Sequence, residues 1–172
     1  MTGARPVPID PESAPPGEVL AYVALGSNVG DRAAHLEHAF RAVHAAPGAR
    51  LLRRSSLHET EPVGPPGQGP YLNAVAEVAT TLSPRALLGV LLAIEATRGR
   101  DRSREARHGP RTLDLDILAW GEACPGGSAC IDAPGLTVPH PRMGERSFVL
   151  DPLRELAPIL AERARAGGVH SR

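Results

Sequence analysis

The segment 109–117 contains two acids that an extended strand would present on one face. It reads Gly-Pro-Arg-Thr-Leu-Asp-Leu-Asp-Ile, with the acids at Asp114 and Asp116. Alternate residues of a strand share a face, so the apolar residues pack on one side and both carboxylates point to the other. Their Cα atoms would lie roughly 6.6 Å apart, so both side chains can bind one Mg2+ or hold two ions that clamp a polyphosphate. The alternative is a sheet face whose acids are only hydrated.

Six arginines stand close together around the start of this segment and indicate an anionic ligand. Guanidinium groups stay charged, donate paired hydrogen bonds to phosphate and neutralise charge on a transferring phosphoryl group. A solvated loop and a patch for the nucleic-acid backbone remain as alternatives, and acids directed into the same site count against the second. The six are Arg98, Arg100, Arg102, Arg104, Arg107 and Arg111.

Composition excludes several classes of function. The 172 residues carry a formal net charge of zero and only five aromatic side chains, which disfavours general nucleic-acid binding. All 19 basic residues are arginine, so a Walker-type phosphate loop, which needs lysine, is excluded. No apolar stretch approaches the roughly 20 residues that span a bilayer, and the first residues lack a signal-peptide core, so we expect a cytoplasmic protein without membrane contact. Cys124 and Cys130 lack companions at metal-site spacing, and we expect free thiols.

The order of predicted elements is strand, helix, strand, strand, helix, strand. Strands are predicted over 19–25, about 50–58, 71–80 and the acid segment, and helices after Asp31 and after Ser83. This order is that of an α+β ferredoxin-like sandwich, an antiparallel sheet with helices packed on one face and the other face left for a ligand. We expect a disordered Pro-rich leader over 1–17, one domain over 18–160 and a frayed tail over 161–172.

The acid segment, together with Gly26-Ser27-Asn28 and residues 136–140, resembles the 6-hydroxymethyl-7,8-dihydropterin pyrophosphokinase family of folate biosynthesis, over about residues 19–158. The resemblance implies a monofunctional, monomeric enzyme that transfers pyrophosphate from ATP to the pterin hydroxymethyl oxygen and releases AMP. It further implies that Asp114 and Asp116 are catalytic and bind two Mg2+ ions, with Arg100 and Arg111 as catalytic partners.

The resemblance also implies two sets of binding residues. Tyr71 and Phe148 would sandwich the flat pterin ring and Asn73 would pair with its polar edge, although either aromatic side chain alone suits core packing. Glu95 aligns with a family acid near the nucleotide, and a salt bridge explains it equally well. The pterin set is Thr60, Val63, Tyr71, Asn73 and Phe148; the ATP set is Arg102, Arg107, Arg111, Ile117, His140 and Arg146.

Several positions depart from the family pattern, among them the following three. His108 stands where tryptophan is usual, Glu61 replaces the proline after Thr60, and Gly135 occupies a position that is often basic. Two rival functions stay open, and the first of them is made conceivable by His108 and Gly135. One is a non-catalytic ferredoxin-like nucleotide-binding module derived from the family. The other is a different metal-dependent nucleotidyl or phosphoryl transferase that uses the same acids.

Overall fold

An antiparallel sheet lies at the centre of the computed structural model, which describes residues 8–64, 66–103, 109–121 and 130–168. The strands are β1 Val19–Ser27, β2 Ala49–Arg54, β3 His58–Thr60, β4 Tyr71–Thr80 and β5 Asp114–Trp120. Their order in the sheet is β2-β4-β1-β5, and β3 also pairs with β4. The fourth and first strands are the long inner ones, and every residue of β1 pairs with β4.

Two helices cover one face of the sheet, α1 at Arg32–Ala45 and α2 at Pro84–Thr97. Each begins at a side-chain cap that satisfies an otherwise unpaired amide: Asp31 accepts from the Ala34 N–H at 3.0 Å and Ser83 accepts from the Ala86 N–H at 3.1 Å. Their buried apolar side chains pack against alternate residues of the inner strands, which form one core. That core includes Leu36, Phe40, Val43, Leu87 and Leu91 from the helices and Ala21, Val23 and Leu25 from β1.

The ferredoxin-like prediction is confirmed, with one strand divided in two. The segment expected to form a single strand over 50–58 is broken between β2 and β3. Ser55 causes the break, because its hydroxyl accepts from the Val75 N–H at 2.9 Å while its own N–H donates to the Val75 carbonyl at 2.9 Å. The side chain replaces one rung of the backbone ladder, and regular pairing with β4 resumes only at His58.

Helices also occupy part of the second face, which differs from the expectation that all helices share one face. Helix α3 spans Ser147–Leu156 and α4 spans Pro158–Gly168. They pack in a second core with Val75, Leu118 and a 3-10 turn at Met143–Glu145. The prediction of a frayed tail from residue 161 is wrong as far as residue 168, because Ala161 and Ala164 are buried in this core. Residues 169–172 lie outside the described part.

Polar contacts fasten α3 to the sheet. Arg53 donates two hydrogen bonds to the buried Glu77 carboxylate, at 3.0 and 2.6 Å, and a third to the Leu156 carbonyl at 2.9 Å. Glu155 accepts from the backbone N–H of Ser56 at 2.8 Å and from its hydroxyl at 2.6 Å. The two Ser56 donors, with the nearby His58 ring, lower the pKa of Glu155 to about 2.

Residues 8–17 lie against the domain, so the expectation of a disordered leader does not hold for them. Ile9 packs on the first core, and its N–H donates to the Cys130 carbonyl at 2.6 Å. The Pro11 carbonyl accepts from the Arg85 N–H at 2.9 Å, at the start of α2. These contacts offset the conformational entropy that is lost when this segment, which is poor in large apolar residues, becomes ordered. Residues 1–7 lie outside the described part.

A short hairpin, β6 at Ile131–Ala133 and β7 at Leu136–Val138, follows β5. Cys130, just before it, is disulfide-bonded, so the expectation of a free thiol is wrong there. Cys124, the only other cysteine of the sequence, lies outside the described residues. Within the described ranges, none of the helices has the length and apolarity that crossing a bilayer requires.

Candidate active site

The part of the second face that α3 and α4 leave uncovered holds a cavity of about 250 Å³. Its floor is the sheet, where β1 lies between β4 and β5, and its far wall is formed by the 3-10 turn and the start of α3. The strand register places Asn73, Gly26 and Asp114 side by side across the floor. Ten predicted site residues line the cavity: Thr60, Val63, Tyr71, Asn73, Arg111, Asp114, Asp116, His140, Arg146 and Phe148.

The acid pair lies on one face of β5, as its spacing predicts. Asp114 accepts from Arg100 at 2.5 Å and from Arg111 at 2.6 Å. Burial opposes ionisation of Asp114, but these two guanidinium charges hold its pKa below the usual value. Burial and the adjacent Asp114 charge instead raise the pKa of Asp116 to about 6. The second acid therefore carries an electrostatic cost that a bound cation would relieve.

Arg100 and Arg102 lie beside the acids but outside the cavity lining. Arg100 is buried, and its Nη1 atom lies 2.8 Å from the Glu95 carboxylate and 2.5 Å from Asp114. Arg102 donates two hydrogen bonds to Glu95, at 2.9 and 2.8 Å, and its Nη2 atom is 3.9 Å from Asp114. Both arginines thus neutralise the negative charge of acids in this region. Arg107 lies outside the described residues.

Glu95 is the central acid of this network, a position that sequence reasoning left undecided between a nucleotide contact and a salt bridge. Its side chain is 2% exposed, and it accepts from the Leu115 N–H at 2.7 Å. Burial raises the pKa of Glu95, while Arg102 and the Leu115 N–H act in the opposite direction. Because Leu115 stands between the two aspartates, Glu95 fixes the backbone that carries them. The sequence signal for this role was the position of the acid, late in a predicted helix and a few residues before the cluster of arginines.

The far wall of the cavity carries positive charge opposite the acids. Burial and the neighbouring Arg146 lower the pKa of His140 to about 4, so its imidazole is neutral at neutral pH. Burial and Arg142 lower the pKa of Arg146, whose guanidinium lies 5.6 Å from the centre of the Phe148 ring. Arg142 also lines the cavity and was not identified from the sequence, although it stands only two residues after His140.

The cavity also has an aromatic end, where Phe148 lies beside Arg146. Tyr71 and Phe148 both line it, and the Tyr71 hydroxyl lies 3.4 Å from the Gly109 carbonyl, to which it donates. The Asn73 Nδ2 donates to the Thr60 hydroxyl at 2.7 Å. Its Oδ1 lies toward Gly26 on the cavity floor. A flat ring with hydrogen-bond donors on its edge suits this arrangement.

Ile117 does not line the cavity, which corrects its assignment to the ATP set. Its side chain is 4% exposed and lies in the first core, beneath α1 and α2. The alternation along β5 is the reason, because it directs Asp114 and Asp116 to one face and Ile117 to the other.

Comparison with known proteins gives the family. A sequence model described as 7,8-dihydro-6-hydroxymethylpterin-pyrophosphokinase (HPPK) matches residues 22–158. The chain belongs to this family. It is 43% identical over 145 residues to the 2-amino-4-hydroxy-6-hydroxymethyldihydropteridine pyrophosphokinase of Bacillus subtilis, a match that covers 84% of this chain and 82% of the relative. It is 45% identical over 139 residues to the protein of the same name from Pseudomonas aeruginosa, which covers 81% of each chain.

A solved structure shares the fold of this HPPK family member. It is described as a crystal structure of HPPK-DHPS in complex with substrates, and the superposition has a TM-score of 0.60 at 12% sequence identity. The match covers 87% of this chain and 43% of that one. At this identity the likeness supports the fold alone.

Proposed function

We propose that the cavity is the active site of an ATP-dependent pyrophosphokinase acting in folate biosynthesis. The reaction transfers pyrophosphate from ATP to 6-hydroxymethyl-7,8-dihydropterin and gives AMP and the pterin diphosphate. The hydroxymethyl oxygen bonds to the β-phosphorus, the bond from that phosphorus to the oxygen bridging to the α-phosphate breaks, and the hydroxyl proton is released. Family membership over residues 22–158 carries this conclusion, and the acid pair and ring pocket within one cavity support it.

The aromatic end of the cavity is the proposed pterin site. Tyr71 and Phe148 would contact the two faces of the ring, while Thr60 and Val63 would line its edge. Asn73 would accept hydrogen bonds through Oδ1, because its Nδ2 is already directed at Thr60. Fixing the ring in this way holds the hydroxymethyl group toward the acids, and such positioning supplies much of the rate enhancement in phosphoryl transfer.

The charged end is the proposed triphosphate site. Arg111, Arg146 and the neutral His140 line it and can donate hydrogen bonds to phosphate oxygens. Arg100 and Arg102 now form ion pairs with Glu95 and Asp114. When ATP binds, each would give up an ion pair with one of these acids and bind phosphate oxygens instead. We extend the same phosphate-binding role to Arg107. These positive charges would offset the negative charge that builds on the transferred group.

Two Mg2+ ions are the proposed cofactors, and the residues present fit them. Carboxylate oxygens are the ligands that Mg2+ prefers, and the ion is commonly held by one or two carboxylates together with substrate phosphates. Asp114 and Asp116 provide those carboxylates. Burial and the neighbouring Asp114 charge raise the pKa of Asp116, and a bound cation would offset both effects. Among the described residues no group of three or more acid, histidine or cysteine side chains has the geometry of a metal site. Two carboxylates alone leave several coordination positions of Mg2+ open, and the phosphates of ATP would fill some of them. We therefore propose that the metal binds together with ATP. When bound, Mg2+ polarises the phosphates and lowers the charge repulsion that opposes attack.

We propose further that the enzyme works as a monomer in the cytoplasm, with a catalytic domain over residues 18–160. ATP, its co-substrate, is a cytoplasmic metabolite. The domain range contains the whole family match.

Identification of the products tests the function. Purified protein is incubated with ATP, Mg2+ and 6-hydroxymethyl-7,8-dihydropterin, and nucleotides and pterins are separated by chromatography. We expect AMP and pterin diphosphate in equal amounts. ADP in place of AMP would indicate transfer of a single phosphoryl group and would reject the proposal. ATP binding without turnover would favour a non-catalytic nucleotide-binding module.

A further inference from the structure

Gly26 occupies the middle of the cavity floor. On β1 it pairs with Asn73 of β4 on one side and with Asp114 of β5 on the other. Adjacent strands lie about 4.8 Å apart, so the row from the ring-pocket amide to the first acid spans only two strand spacings. A ligand that lies along this row, from Asn73 to Asp114, passes over Gly26.

The backbone does not require glycine at this position. Gly26 lies within a regular strand and is absent from the glycines with positive φ. Space explains it instead. A Cβ atom built on Gly26 would lie 3.2 Å from Asn73 Oδ1 and 3.7 Å from Tyr71 Cδ1. A methyl group here would therefore crowd the amide acceptor, while it would touch the Tyr71 ring at an ordinary van der Waals distance.

We propose that Gly26 determines specificity for the flat pterin by keeping the floor of the cavity bare. This inference rests on the proposed function. The bare backbone lets the ring lie across β1 with its N–H donors on Asn73 Oδ1, and it leaves a path for the hydroxymethyl group toward Asp114 and Asp116. Asn73 Oδ1 can serve as the acceptor because its Nδ2 is directed at Thr60. A methyl group at position 26 would cover that oxygen and lift the ring from the floor.

The test is the variant Gly26→Ala, measured by steady-state kinetics with each substrate varied in turn. We expect the KM for 6-hydroxymethyl-7,8-dihydropterin to rise about tenfold or more, while the KM for ATP changes less than twofold. The matched control is Gly89→Ala in α2, where an added Cβ meets nothing within 4 Å. It should leave both KM values unchanged and keep or slightly increase the resistance to urea, since alanine favours a helix. Unchanged pterin KM in Gly26→Ala would overturn the inference.

Two further variants separate this inference from the function on which it rests. Asn73→Ala alone should raise the pterin KM, and if it does not, the proposed pterin pocket itself is wrong. The double variant Gly26→Ala with Asn73→Ala removes the atom that the new methyl group would approach. Its pterin KM should equal that of Asn73→Ala, and it should fold even if Gly26→Ala does not. A further tenfold rise in the double variant would show that the methyl group acts through other contacts and would reject the role given to Asn73.

Discussion

Replacing Asp116 by asparagine should stabilise the protein while it removes activity. The two aspartates lie on one face of β5, about 6.6 Å apart by strand geometry, and an effective dielectric constant of about 20 gives a repulsion of about 2.5 kcal/mol. The nearby arginines offset part of this repulsion, and burial adds to the cost, as the raised pKa of Asp116 reflects. In Mg2+-free buffer at pH 7 we therefore expect Asp116→Asn to gain about 1–2 kcal/mol in the free energy of unfolding.

The stability assay is thermal or urea unfolding in Mg2+-free buffer. For a chain of this length a gain of 1–2 kcal/mol corresponds to a rise in Tm of about 2–8 °C. Adding Mg2+ with a non-hydrolysable ATP analogue should stabilise the wild type more than the variant, because binding to the native state shifts unfolding by mass action. The matched control is Asp132→Asn, an exposed aspartate on β6 that does not line the cavity. It should change neither stability nor response to Mg2+.

Turnover should fall at least about 1,000-fold in Asp116→Asn, or about 4 kcal/mol of transition-state stabilisation. If Asp116 is present in order to bind metal, its replacement should lower turnover and increase stability at the same time. A variant that unfolds more easily than the wild type without Mg2+ would refute the electrostatic reasoning. Near-normal turnover would refute the role of Asp116 in binding metal.

Three other predictions concern the pterin pocket and the contacts of α3. Tyr71→Ala should raise the pterin KM at least tenfold with little change in the ATP KM, as steady-state kinetics would show. Glu155→Gln should lower the free energy of unfolding at neutral pH. Because the pKa of Glu155 in the folded state is depressed to about 2, the difference in stability between variant and wild type should vanish as the pH falls from about 4.5 to 2. In urea unfolding, Arg53→Met should lower stability more than Glu77→Met does. The first variant leaves the buried Glu77 carboxylate with Tyr22 as its remaining side-chain donor, whereas Arg53, 52% exposed, reaches water when Glu77 is removed. Equal losses in the last pair would contradict this asymmetry.

Local patterns were enough to predict the central elements of the fold. Strand β4 has its predicted bounds, and Ser83 caps α2 where the Ser-Pro pair indicated. The acid face of β5 followed from strand alternation alone. These features depend on near neighbours in the sequence, which is where periodicity and capping rules apply.

Features that depend on distant partners were not predicted. The buried residues that helix α4 contributes to the second core are the small Ala161 and Ala164, with Leu160 partly buried beside them, so its sequence lacks a strong apolar stripe. Residues 8–17 are ordered by contacts with Arg85 and Cys130, which no local pattern reveals. Arg142 is recognised as a cavity residue only in the folded structure, where it lies next to the 3-10 turn on the cavity wall. The alternation that placed the acids should also have excluded Ile117, which the family resemblance had assigned to ATP.

Residues 8–17 and helix α4 together mean that the folding unit is larger than the family match. A recombinant protein trimmed to residues 22–158 would keep every described side chain that lines the cavity. It would nevertheless lose Ile9 from the first core and Ala161 and Ala164 from the second. Catalytic boundaries and folding boundaries therefore differ in this chain, and a protein made for assay or inhibitor screening should extend at least from residue 8 to residue 168.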